Sequence, residues 1–259
     1  MYYYFLTHHK CATSWLVNIL SRYCSNHQLG FFTTHLSAVL PDSSIDYRIL
    51  AYTNSEYEFC KSHSGLNIGT HNQTAIHIIR NPLDLIVSAY YSHLHSHPID
   101  GWLQLARQRY TLRRVHKKAG LIATWVFLEQ SDFYDGAVGP LFSLRRWNFD
   151  DSTFRTLRME DLVINTYDLF QKETQGFFAE DLAGVLAESS FEKLSGGREI
   201  GIVDKEHHYR SGRAHQWVDE LDLPLAHAVY ERYKSIFDAY YPEVTDFLRK
   251  GSSNSIHML

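Results

Sequence analysis

The residues best suited to chemistry fall in three short segments. The first is Thr7-His8-His9-Lys10-Cys11-Ala12-Thr13-Ser14, placed after a strand-like run and before a helical pattern. There, successive backbone N–H groups, the positive end of a helix dipole, a lysine and two hydroxyls come together as the parts of an anion cradle. It is not a Walker loop, because the GxxxxGK[ST] spacing is missing and no glycine occurs before Gly30. An ordinary helix cap by Thr13 or Ser14 is the plainer account of the same hydroxyls.

The second segment runs from Ile76 through Arg80-Asn81-Pro82-Leu83-Asp84 to Ser88. An arginine at the carboxyl end of a buried strand is costly unless an anion or a carboxylate partners it, and its fork of donors suits a phosphate. An Arg80–Asp84 ion pair across the first helical turn is the alternative, and the two can coexist. The third segment is His208-Tyr209-Arg210-Ser211-Gly212-Arg213-Ala214-His215-Gln216-Trp217, preceded by Gly196-Gly197. Two arginines beside a glycine offer another anion site, or simply a mobile surface loop.

Taken in order, these segments resemble the cytosolic-type sulfotransferase family. Lys10 to Trp15 (KCATSW) is similar to that family's 5′-phosphosulfate loop, which implies donor contacts from Lys10, Cys11, Ala12, Thr13, Ser14 and Trp15. Arg80 and Ser88 match the arginine and the serine eight positions later that hold a 3′-phosphate. Phe191 to Arg198 (FEKLSGGR), then Arg210-Ser211-Gly212 and Trp217, resemble the stretches that complete the 3′-phosphate and adenine pocket, with Phe191, Arg210, Ser211 and Gly212 as contacts. Arg158 to Leu162 (RMEDL) resembles the family's YEDL strand end. The likeness spans Lys10 to Trp217.

The resemblance implies a P-loop-like α/β fold, 3′-phosphoadenosine 5′-phosphosulfate (PAPS) as co-substrate, the 3′,5′-bisphosphate PAP as product, and no metal. Sulfuryl transfer would be direct and in line, with positioning and charge stabilisation supplying most of the catalysis, as in phosphoryl transfer. Lys10 would neutralise charge on the oxygen bridging sulfate and phosphate, Thr13 and Ser14 would hold the 5′-phosphate, and a general base would take the acceptor's proton. Three positions depart from the pattern: Ser211 replaces a lysine, Ala214-His215 replace Val-Gly, and Met159 replaces a tyrosine. Arg213 is the expected substitute for the missing lysine.

The base departs further, because the family's catalytic histidine follows the strand expected at Tyr47 to Tyr52, where this chain has Thr53 and Asn54. Substitutes stand in Ser92-His93-Leu94-His95-Ser96-His97, just beyond Ser88. On a helix His93 and His97 share a face while His95 points elsewhere, and an imidazole suits proton abstraction near neutral pH. The alternative is that they are polar residues ending a helix before Pro98. His35 and His8 are further candidates.

The elements that must position these residues follow from periodicity. Tyr2–Leu6, Tyr47–Tyr52, Ala75–Ile79 and Phe154–Leu157 read as strands, the third continuously apolar as in a strand buried on both faces. Trp15 to Tyr23 has helical spacing, and Asn81-Pro82 is a helix start. Strands separated by helices predict a three-layer α/β fold, its mostly parallel central sheet flanked by helices and its ligands outside the carboxyl ends of the strands. A long helical stretch from Trp102 to Gln130 carries Arg107, Arg109, Arg113, Arg114, Lys117 and Lys118, preferably as a solvated face rather than a lid over an anion.

With 259 residues, 44% of them hydrophobic, and no linker, the expectation is one domain over 1–259 with a frayed tail at 251–259. A net charge of -4 argues against nucleic-acid or anionic-lipid partners, so any anion must be held by a local cluster. Three cysteines without CxxC spacing fit a reducing compartment, and no signal-like or membrane-spanning run is present; a cytoplasmic protein is expected. Sixteen histidines invite a metal site, but HExxH and Cys/His quartet spacings are missing. The acceptor is expected to be a hydroxyl or amine of a small molecule, and the 17 Tyr and 15 Phe would suit an apolar or cyclic one such as a secondary metabolite; the oligomeric state stays open. A P-loop-like kinase using Mg²⁺ and ATP, or a nucleotide-binding module without catalysis, are the alternatives.

Overall fold

The computed structural model describes residues 1–35, 39–62, 66–69, 72–178 and 181–250, so the tail at 251–259 lies outside the described residues. The chain begins β1 (Tyr2–Leu6), α1 (Thr13–Asn26), β2 (Gly30–Thr34), β3 (Tyr47–Tyr52), α2 (Tyr57–Lys61) and β4 (Gln73–Ile79). Next come α3 (Pro82–Tyr91), a π-helical turn (Ser92–Ser96), α4 (Leu103–Leu112), α5 (Lys117–Leu128), α6 (Pro140–Arg146) and β5 (Phe154–Arg158). Then follow α7 (Met159–Ile164), α8 (Thr166–Glu173), α9 (Leu182–Glu188), α10 (Phe191–Leu194), α11 (Trp217–Glu220), α12 (Leu223–Arg232), α13 (Lys234–Tyr240) and α14 (Pro242–Lys250). Two compact units result, one of Met1–Ile79 with Glu129–Arg198 and one of Arg80–Leu128 with Glu199–Leu259.

The first unit contains a five-stranded sheet in the order β2-β3-β1-β4-β5, every pairing parallel. Side chains alternate across it, as the two-residue period of a strand requires. Tyr3 and Phe5 of β1, Ile49 and Ala51 of β3 and Ile76 and Ile78 of β4 pack on one face with Leu16, Ile19 and Tyr23 of α1 and Phe170 of α8. Tyr4, Leu6, Leu50, Tyr52 and Ala75 point the other way, onto Cys60 of α2, Trp147 and Phe154. Both faces are therefore covered, in keeping with the continuously apolar run Ala75–Ile79 of β4. The sheet contains one strand more than the periodicity showed: β2, Gly-Phe-Phe-Thr-Thr, lies at the edge beside β3. The three cysteines are buried, and none of them forms a disulfide among the described residues.

With β1 central, the chain leaves it toward β2 and leaves β4 toward β5. The switch in direction falls between β1 and β4, the place where open α/β sheets receive ligands beyond their strand ends. Thr7 begins the loop after β1, and Arg80 is the residue after β4.

In the second unit, α3 starts as expected: Pro82 occupies its first turn and the Asn81 side chain accepts from the Leu83 N–H (2.9 Å). The long helix expected from Trp102 to Gln130 is instead two helices, α4 and α5, broken at 113–116. The break lets α5 turn back onto α3, where Gly120 is required because a Cβ there would stand 2.7 Å from Tyr90 Cε2. Lys117 and Lys118 at the start of α5 pair with Glu220 and Asp222. Arg107, Arg113 and Arg114 are exposed, whereas Arg109 turns inward. Among the described residues no helix is long and apolar enough to cross a membrane.

Candidate functional site

The loop after β1 is held at its base by two backbone bonds, Thr7 N–H to Tyr52 (2.8 Å) and Ser55 N–H to Thr7 (3.0 Å). Cys11 N–H then donates to the His8 carbonyl (3.0 Å), closing a four-residue turn whose third residue, Lys10, has φ 68°. Glycine normally takes such a position. Ala12 follows at φ 55°, so two left-handed residues bracket Cys11. Each costs on the order of 1 to 3 kcal/mol, a strain characteristic of ligand-clamping loops. Alternating backbone hands of this kind turn successive N–H groups into one concavity, an anion nest. Helix α1 begins directly after it, and its N-cap Ala12 supplies no side-chain acceptor to the first-turn amides. An anion at this point would satisfy them.

The side chains complete the loop in different ways. Lys10 is half-buried, Cys11 is buried and Ser14 is exposed on the first helical turn. The Thr13 hydroxyl donates to the His8 carbonyl (3.0 Å) and lies 3.0 Å from the Thr7 hydroxyl, so it staples the loop rather than capping α1. Trp15 donates its indole N–H to the Ser189 carbonyl (2.9 Å), which fixes α1 to the segment that leads into α10. Phe191 opens α10 half-buried, with the Arg198 guanidinium 5.6 Å from its ring centre.

The second unit gathers the arginines. Arg80 is 8% exposed and Ser88 is half-buried on α3. Arg210 lies 4.4 Å from the Tyr91 ring centre and 3.8 Å from Glu220 Oε1, and it hydrogen-bonds Gln216. Tyr91 donates to Glu220 (2.7 Å). Burial lowers the Arg210 pKa, Glu220 opposes that, and the charge of Arg80 pushes it down again. A half-buried guanidinium under that influence suits an anionic ligand.

Asp84 makes contacts that the sequence did not announce. Its buried carboxylate accepts from the backbone N–H groups of His215 (2.6 Å) and Trp217 (3.0 Å), tying the loop of Arg210 to α3. Ser211 is buried and its carbonyl accepts from Gly201, while Gly212 has φ 65°. Arg213 is exposed and pairs with Asp219. Tyr91, Gln216 and Glu220 are members of this site that sequence reasoning missed. Their only sequence signal is proximity to Ser88 and to Arg210.

The histidines divide sharply. His93 is fully buried beside Trp102 and Phe127, and its Nδ1 lies 2.7 Å from Gln108 Oε1. Gln108 gives its amide N–H to Thr124, so Nδ1 of His93 carries the proton. His97 closes the π-helical turn half-buried, with Nδ1–H on the Pro98 carbonyl (2.9 Å), which leaves Nε2 as its basic nitrogen. Arg109 donates to the carbonyls of both residues and holds the turn in place. Their rings lie 6.1 Å apart, and His95 is exposed.

In the first unit, exposed His35 follows edge strand β2, and its Nδ1 stands 2.7 Å from Thr53 Oγ1. Thr53 donates to the Thr34 carbonyl (3.1 Å), so His35 Nδ1 is the donor and Nε2 the basic nitrogen. A histidine from the neighbouring strand thereby reaches the residue after β3. His8 is buried and its pKa falls to about 3, which removes it as a base for any acceptor in solvent. Among the described residues there is no group of three or more His, Cys, Asp or Glu that could hold a metal ion.

The fold is similar to that of two solved structures complexed with PAP. Mouse sulfotransferase SULT7A1 complexed with PAP superposes with a TM-score of 0.60 at 16% identity, over 96% of this chain and 88% of that one. Retinol dehydratase in complex with androsterone and inactive cofactor PAP gives 0.55 at 12% identity, over 91% and 80%. No family model matches the chain, and no curated protein sequence matches it.

Proposed function

We propose that this chain is a sulfotransferase that moves the sulfuryl group of PAPS to a hydroxyl or amine of a small molecule such as a secondary metabolite, and releases PAP. The observation that carries the reading is the half-buried Arg210 guanidinium held over the Tyr91 ring by Glu220 and Gln216, in a fold shared with PAP complexes. Together with Arg80 and Ser88 it suits a 3′-phosphate, while the strained turn at Lys10 and the uncapped start of α1 suit the 5′ end. Cys11, Ala12 and Ser14 would contribute through the nest and first turn, and Phe191, Ser211 and Gly212 through the adenine side.

In the transfer, the acceptor oxygen or nitrogen forms a bond to sulfur as the bond from sulfur to the bridging oxygen breaks. The acceptor's proton passes to a base, and the electron pair stays on the 5′-phosphate of PAP, where Lys10 meets the growing charge. We place the base at His97, with His93 behind it in the same turn. His35 is the second reading, favoured by its bond to Thr53. The two units are proposed to act as one domain, since the chain passes between them three times.

The test is calorimetric. Wild type should bind PAP about tenfold to a hundredfold more tightly than ADP or AMP, because a charge-assisted contact to a phosphate contributes about 1.5 to 3 kcal/mol. Arg210→Ala should erase most of that preference while leaving ADP affinity nearly unchanged. Equal affinities for nucleotides with and without the 3′-phosphate in wild type would remove the basis of the assignment.

A further inference from the structure

Behind the loop of Lys10, inside the first unit, two buried histidines face each other with their Nε2 atoms 2.7 Å apart. His8 comes from the loop itself and His77 from β4, one of the strands paired with β1. Trp147 stacks on the His77 ring (3.7 Å between centroids, 12° between planes), and Thr156 Oγ1 of β5 lies 3.2 Å from His77 Nδ1. His8 Nδ1 has no hydrogen-bond partner among the described residues.

These contacts fix the protons. A buried N–H without an acceptor is rarer and costlier than a bare lone pair, so His8 carries its proton on Nε2. That proton is donated to His77 Nε2, and His77 must then carry its own on Nδ1, aimed at Thr156. Both ring N–H groups then have an acceptor, and each imidazole is neutral. Burial supports the same state by lowering both pKa values, that of His8 to about 3.

His8 is also the first residue of the turn that sets Lys10 at φ 68°. Its carbonyl accepts from Cys11 N–H and from Thr13 Oγ1, so whatever fixes His8 fixes the geometry on both sides of Ala12. Lys10 and Ala12 are strained, and strained backbone persists only where its surroundings over-determine it. We propose that the His8–His77–Thr156 series is the positioning device of the anion loop, a hydrogen-bonded strut from β4 and β5 that holds Lys10 in register with the donor's 5′ end. The proposal rests on the donor-binding reading above for its consequence on turnover.

The experiment pairs two substitutions with two readouts. His77→Leu removes the acceptor for His8, whereas His77→Gln keeps a side-chain oxygen able to accept it. Misplacing a reacting group by about 1 Å can cost about a hundredfold in rate. His77→Leu is therefore expected to lower kcat about tenfold to a hundredfold with a smaller loss of PAP affinity, and to speed hydrogen exchange of the amides of residues 9–14. His77→Gln should restore most of both. If His77→Leu does not fold, Thr156→Val serves, with an expected kcat loss of about threefold and faster exchange in the same amides. Unchanged loop exchange in a folded His77→Leu or Thr156→Val protein overturns the proposal. Wild-type protein that never turns over PAPS overturns the donor reading instead, and loop exchange still decides the strut.

Discussion

Lys10→Ala protein is expected to turn over at least about a hundredfold more slowly than wild type while binding PAP nearly as well. A preorganised donor aimed at developing charge contributes about 2.7 to 4 kcal/mol in the transition state and far less in the ground state. Lys10 fits that description because its backbone is held at φ 68° by the turn from His8 to Cys11, which restricts where its ammonium can go. Charge on the bridging oxygen is small in PAPS and grows as the sulfur leaves, so the loss should fall on kcat rather than on PAP affinity. Single-turnover rates compared with PAP titrations measure both. A variant with near wild-type sulfation would make Lys10 a structural residue of the loop.

The base carries the second large effect. His97→Ala should lose about a hundredfold to ten-thousandfold in turnover, with donor binding unchanged. A histidine base works only when neutral, so the rate should fall as pH drops through its pKa, and this acid limb should vanish with the residue. His97 offers an Nε2 whose tautomer is set by the Pro98 carbonyl. His93, enclosed by Trp102 and Phe127 and bonded to Gln108, is expected to act on the turn's stability more than on the acid limb. If His97→Ala keeps its rate and pH profile while His35→Ala loses both, the base belongs to the strand side of the molecule.

Much of this fold was legible in the chain because interior parallel strands leave a plain mark. Tyr2–Leu6 and Tyr47–Tyr52 were bounded from sequence as the structure has them, and β4 and β5 differ by one or two residues at their ends. The edge strand β2 escaped because Gly30 and two threonines dilute its apolar pattern, and an edge strand need bury only one side. Its absence from the sequence reading had a cost: His35 reaches Thr53 only because β2 pairs with β3, with Thr34 opposite Tyr52. The site was legible as separate loops and not as a constellation. Asp84 grips residues 131 and 133 positions away, and the His8–His77 pair spans 69 positions; no local spacing reports such contacts. The break between α4 and α5 was hidden for a related reason, since the close approach of Gly120 to Tyr90 is a tertiary demand.

A site built for a 3′-phosphorylated adenosine donor should reveal itself in thermal shift with PAP, ADP and Mg²⁺-ATP at one concentration. A ligand at a hundred times its Kd stabilises the native state by about 2.7 kcal/mol, which for a chain of this size is a rise of roughly 5 to 10 °C in Tm. PAP is expected to give that rise and the other two nucleotides markedly less, with the difference lost in Arg210→Ala protein. A larger rise with Mg²⁺-ATP than with PAP would contradict the account and point to phosphoryl transfer instead.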